Sequence, residues 1–131
     1  MAGYSQTPLI KKLGIKETMK MQLVNAPAEY MNFLETDISS QLVTETASAE
    51  LVHIFTTSKK ELASTFQQII SQAKVGLIIW ISWYKKSSGL QTDVTEDVMR
   101  EIVLPTGWVD IKVCAVSEQW SGLKIVKRKV V

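Results

Sequence analysis

Strand-like and helix-like patterns alternate along the 131 residues, which predicts an α/β fold: a mostly parallel sheet of about six strands with helices on both faces. Residues 75–84, V-G-L-I-I-W-I-S-W-Y, are apolar almost without a break, as a strand covered on both sides requires. Near the carboxyl end, strand-like segments 109–116 and 122–130 are separated by only five residues, 117–121. A parallel crossover takes about a dozen residues, so these two segments should form an antiparallel hairpin.

The elements follow in order. Thr7 and Pro8 read as an N-cap and first helical position, Leu9, Ile10 and Leu13 as one helical face, and Gly14 as the stop. Residues 19–25 alternate as a strand. Pro27 opens a helix with Tyr30, Met31, Phe33 and Leu34. Residues 41–45 form a short, weakly patterned strand and 51–57 a stronger one; the link between them is too short for a helix, so 41–45 is either an irregular edge or leads into a link beneath the sheet. Ser58 and Glu61 have capping-box spacing, ahead of a stripe of Leu62, Phe66, Ile69, Ile70 and Ala73. Asp93 and Glu96 are placed to cap the next helix, with Val94, Val98, Met99 and Ile102 inward and Pro105 and Gly107 ending it.

One domain over residues 1–131 is expected, with 1–6 flexible. Fifteen Lys and Arg against thirteen Asp and Glu leave a formal charge of +2, too balanced to imply nucleic acid or an acidic membrane. Cys114 is the lone cysteine, which fits a reducing, cytoplasmic setting, and no Cys/His cluster has metal-ligand spacing. The start lacks the pattern of a signal peptide, and the longest apolar run is half a membrane span, so a soluble protein is expected.

In open parallel sheets ligands bind at the carboxyl edge, near the point where strand order reverses. The loop Lys85-Lys86-Ser87-Ser88-Gly89, with Thr92 and Asp93, is the sharpest candidate there, since lysines and free amides ahead of a helix can hold an anion. It does not match a Walker loop, and Asp93, Glu96 and Asp97 would compete with a phosphate for the helix end. A solvated loop before a self-capped helix accounts for the same residues. Asn25 ends the first strand and Thr56 and Ser58 the third, so they should flank the crevice; Asn25 reads first as a turn residue. His53 sits inside an apolar strand and reads as a hydrogen-bonded core residue, Cys114 as a small core residue. Trp80 should be core, while Trp83 and Tyr84 are placed to stack on a ring. Lys124, Lys127, Arg128 and Lys129 read as the protective lysines of an edge strand.

Several segments together resemble a small bacterial family of unknown function. They are Tyr4-Ser5 with Thr7-Pro8-Leu9, Lys12-Leu13-Gly14-Ile15-Lys16, Asn25-Ala26-Pro27, the 85–97 stretch, Val113-Cys114-Ala115-Val116 and Trp120-Ser121-Gly122-Leu123-Lys124. Gln6 departs from a usual glycine and Tyr84 from a usual proline. The family looks like a truncated class I methyltransferase, which implies a three-layer Rossmann-like fold with strand order 2-1-3-4-6-5. The glycine-rich cofactor loop of methyltransferases is missing after the first strand, and Glu45 is the nearest stand-in for their acidic residue.

The expected function is binding rather than catalysis. A protein partner or small anionic ligand would sit at the carboxyl edge, on Lys85, Lys86, Ser87, Ser88, Gly89, Thr92 and Asp93 with Asn25, Thr56 and Ser58 opposite. One alternative is a degenerate methyltransferase-like protein that binds S-adenosylmethionine or a nucleotide, with Asn25 and Glu45 in vestigial roles, which the lack of glycines after the first strand disfavours. Another is a nucleic-acid accessory protein using Trp83, Tyr84 and the basic tail, which the near-neutral charge disfavours. No cofactor, metal or catalytic residue is assigned.

Overall fold

Five strands make one sheet: β1 (Met21–Val24), β2 (Leu51–Phe55), β3 (Ile78–Tyr84), β4 (Trp108–Ala115) and β5 (Trp120–Lys127), in the order β1-β2-β3-β5-β4. The computed structural model describes residues 7–129. The expectation that 1–6 are flexible, the Tyr4-Ser5-Gln6 part of the resemblance and the expected end of the last strand at Val130 lie outside that range. β1, β2 and β3 are mutually parallel; β5 runs antiparallel to both β3 and β4. This is the Rossmann-like fold with a carboxyl-terminal hairpin that the sequence predicts.

Alternation along the strands builds a core on each side. One face carries Met21, Leu51, Phe55, Trp80 and Trp120, covered by α1 (Leu9–Lys12) and α2 (Tyr30–Leu34). The other carries Val52, Ile54, Ile79, Ile81, Trp83, Leu123 and Ile125, covered by α3 (Lys59–Ser71) and α4 (Glu96–Val103). The short α1 is tied down by tertiary contact: Trp80 Nε1 donates to the carbonyl of Leu13 at 2.9 Å. Its N-cap is Pro8, with no side-chain cap, rather than Thr7.

The weak strand at 41–45 reduces to a single parallel bridge between Leu42 and Met21. Its ladder is pre-empted by the side chain of Gln22, whose amide donates to the Thr44 carbonyl at 3.3 Å and accepts from the Thr46 hydroxyl at 2.6 Å. The chain then crosses the α3 face of β1, burying Ala49, and enters β2. The central strand begins three residues later than its apolar run. Gly76 takes φ 88 in a turn closed by Leu77 N–H to the Lys74 carbonyl, and Val75 is fully exposed at its tip. The basic last strand is interior; β4 is the edge, and a register shift between Asp110 and Lys112 interrupts it.

His53 is fully buried in β2 and fully partnered. Its Nδ1 lies 2.9 Å from the Tyr30 hydroxyl and its Nε2 2.7 Å from the Ser82 hydroxyl, one ring nitrogen donating and the other accepting. Burial lowers its pKa from 6.5 to about 3. On the same face Gly122 lies against Trp80, because a Cβ there would sit 3.0 Å from Val116 Cγ2 and 3.3 Å from the Trp80 ring.

The unfolded imidazole protonates near pH 6.5 and the folded one only near 3, so unfolding takes up a proton between those values. Stability should therefore fall by about 1.4 kcal/mol per pH unit as pH drops below 6.5, beyond the loss shown by His53→Gln in parallel urea melts. Parallel curves for the two proteins would contradict a buried neutral imidazole. Gly122→Ala should cost about 1–3 kcal/mol through overpacking, read in the same melts at pH 7.

Candidate functional site

The carboxyl ends of β1, β2 and β3 meet at one edge of the sheet and enclose a cleft of about 550 Å³. Asn25 and Pro27 enter from the β1 turn, Phe55 and Thr57 from the end of β2, and Tyr84 and Trp120 from β3 and β5. Asn25 takes φ 56, the left-handed conformation that a glycine would otherwise supply and that Asn tolerates. The turn is thus kept without a glycine, with the Asn25 side chain exposed beside the cleft. The aromatic wall is a packed unit: Tyr84 and Trp120 lie with ring centroids 4.3 Å apart, and Phe55 meets Trp120 edge-on at 4.9 Å.

The third wall is α3, through Glu61, Ser64 and Thr65. Half of the expected capping box forms, with Ser58 Oγ accepting from Glu61 N–H at 3.3 Å. The return bond does not form, because Ser58 N–H donates to Thr56 Oγ1 at 3.3 Å. Glu61 lines the cleft, and among the described residues no ion pair or hydrogen bond engages its carboxylate. Thr56 and Ser58, expected to hold ligand, serve this loop and helix start; neither lines the cleft.

The 85–93 loop bounds a second cleft of about 790 Å³ that shares Tyr84 with the first. Lys85, Lys86, Ser87, Gly89 and Thr92 line it. Ser88, Thr92 and Asp93 are engaged within the loop or by the start of α3. Ser88 Oγ donates to the Lys85 carbonyl at 2.7 Å and accepts from Leu90 N–H, and Thr92 Oγ1 donates to the Thr57 carbonyl at 3.1 Å. Asp93 does not cap α4. Its carboxylate accepts from Lys59 N–H at 2.6 Å, so it occupies the positive end of α3, while Thr95 caps α4 by accepting from Val98 N–H. The lysines remain: no carboxylate lies within ion-pair distance of Lys85 or Lys86 among the described residues.

Other expected features are elsewhere. Trp83 is 7% exposed and packed in the α3-side core, and it contributes to the lining of the second cleft beside Tyr84. Cys114 is half-buried rather than core, and burial raises its thiol pKa. Glu45 precedes the 46–48 turn and does not line the cleft. The residues that sequence reasoning missed are Phe55, Thr57, Ser64, Thr65 and Trp120, together with the exposed role of Glu61. A signal existed for three of them: Glu61, Ser64 and Thr65 share a helical face that flanks the Leu62, Phe66 and Ile69 stripe.

No protein-family model and no curated protein matches the chain. Solved structures do. A SAM-dependent methyltransferase from Aquifex aeolicus is 14% identical, with 89% of this chain and 86% of that one covered at a TM-score of 0.64. The fold is the Rossmann-like fold of methyltransferases. A protein of the NADB-Rossmann superfamily from Streptococcus agalactiae covers 98% of this chain and 71% of its own, at 9% identity and TM-score 0.60. The magnesium protoporphyrin IX methyltransferase of Synechocystis, solved with bound SAM, covers 91% of this chain and 74% of its own, at 11% identity and TM-score 0.56. Among the described residues no helix is long and apolar enough to cross a membrane.

Asp93→Ala should destabilise the protein by about 0.5–2 kcal/mol through loss of the α3 cap, read as a lower urea midpoint, and should loosen the 85–93 loop in amide exchange. An unchanged midpoint would show that the carboxylate does not serve α3.

Proposed function

We propose that the protein is a binding domain of methyltransferase fold whose cleft over β1–β3 takes a small ligand of the S-adenosylmethionine class, without an assigned catalytic step. One observation carries this reading: a cleft of about 550 Å³ at the strand ends holds an aromatic wall and the unpaired Glu61 carboxylate, with no Lys or Arg in its lining. That lining suits a planar ring with hydroxyl or cationic groups and disfavours a bare polyphosphate. The residues fit the ligand class: Tyr84 and Trp120 would hold the ring, Glu61 the hydroxyls or positive charge, and the left-handed Asn25 turn the polar end. S-adenosylmethionine, when bound, supplies an activated methyl group; this chain's own residues bind and orient.

A second reading concerns the adjoining ledge. Among the described residues Lys85 and Lys86 have no carboxylate within ion-pair distance, and they line a cleft that shares Tyr84 with the first, which favours an acidic group of a ligand or protein partner there. The motif resemblance supports placing the chain in the small bacterial family as a single cytoplasmic domain, with the lone Cys114 in keeping.

Thermal melts test the main reading. S-adenosylmethionine or S-adenosylhomocysteine at a hundred times its dissociation constant should add about 2.7 kcal/mol of stability. Glu61→Gln should reduce that gain for S-adenosylmethionine, and Lys85→Ala with Lys86→Ala should leave it intact. If neither compound moves the melting point at millimolar concentration, the cleft is not a site of this class.

A further inference from the structure

At the opposite end of the sheet lies a slot of about 540 Å³ with a different chemistry. β5 is antiparallel to β3, so Lys127 ends where β3 begins, away from the strand tips that form the Glu61 cleft. Ile70, Ala73, Leu77, Trp108 and Val126 give the slot an apolar lining. Trp108 is 4% exposed and held edge-on against Phe66, so this wall is rigid. The rim carries four cations, Lys74, Lys127, Arg128 and Lys129, and no Asp or Glu.

Two turns fix that rim. The 74–77 turn is set by the left-handed Gly76, and Arg128 N–H donates to the carbonyl of the left-handed Gly107 at 2.9 Å. None of the four cations has a carboxylate within ion-pair distance among the described residues. Clustering of like charge costs free energy through mutual repulsion, and an anion bound between them would relieve it. The apolar lining adds a second requirement, since it gains only from a ligand that removes it from water.

We propose that this slot is a binding site for a monomeric amphipathic anion: an alkyl or aryl body seated against Leu77, Trp108 and Val126, with its carboxylate or phosphate held by the cationic rim. The site is separate from the carboxyl-edge cleft and does not depend on what that cleft binds.

Calorimetric titration of the whole chain with decanoate, below its micelle concentration, tests this, with decanol and decyltrimethylammonium as controls. Decanoate should bind one to one, at least tenfold tighter than either control, and more weakly as salt rises. Lys127→Glu with Lys129→Glu should weaken decanoate at least tenfold and favour the ammonium compound. Ala73→Trp, which fills the slot, should abolish binding while thermal melts report that the protein is folded. Glu61→Gln should leave decanoate affinity unchanged. Decanoate affinity indifferent to the two rim substitutions, equal binding of decanol, loss of binding on Glu61→Gln, or capture only by anionic lipid vesicles would each overturn the proposal.

Discussion

An imidazole in the middle of a fully buried strand must find two partners, or its burial costs several kcal/mol. His53 finds them on two different elements, Tyr30 of α2 and Ser82 of β3. The β2–β3 register that makes this possible pairs Phe55 with Ser82 and His53 with Trp80. Sliding either strand by one residue would turn His53 or Ser82 to the opposite face and strand both polar groups in apolar surroundings. The tips of β2 and β3, and therefore the cleft walls at Phe55 and Tyr84, sit where they do because this network permits one register.

At those tips the chemistry is decided by competition for a few backbone N–H groups. The loop after β2 offers Ser58 N–H to Thr56, so Glu61 is not needed for the capping box and faces the cleft instead. The first N–H of α3 goes to Asp93, a carboxylate brought from a loop 34 residues away. One acid is thereby neutralised as a structural cap and another is left free for a ligand. Two carboxylates thus take opposite roles according to which N–H groups lie within their reach.

Charge is also sorted by geometry. The formal +2 conceals an aromatic and acidic cleft at one end of the sheet and an apolar slot ringed by four cations at the other. At physiological ionic strength charges are screened beyond about 8 Å, so each end presents its own field to a ligand. The methyltransferase fold accounts for the position of the first cleft, at the carboxyl ends of parallel strands, and is silent on the second.

Periodicity and spacing alone determined the architecture. The apolar run through Trp80, the stripe of Leu62, Phe66 and Ile69, and the short link before Trp120 are local consequences of burying one face, so the parallel core and the hairpin were readable, as was the satisfied His53. The site was readable only as an address, the strand ends at Asn25 and Tyr84. Which side chains serve it was not, because Thr56, Ser58, Asp93 and Glu61 are all plausible caps and ligands by sequence, and their roles depend on donors from elsewhere in the chain. The same holds for the loss of the 41–45 strand to the Gln22 side chain and for the slot at Trp108, whose cations come from the 74–77 turn and from the end of β5, far apart in sequence. Local pattern sets what each segment must bury; only the folded neighbours set which polar group is left over.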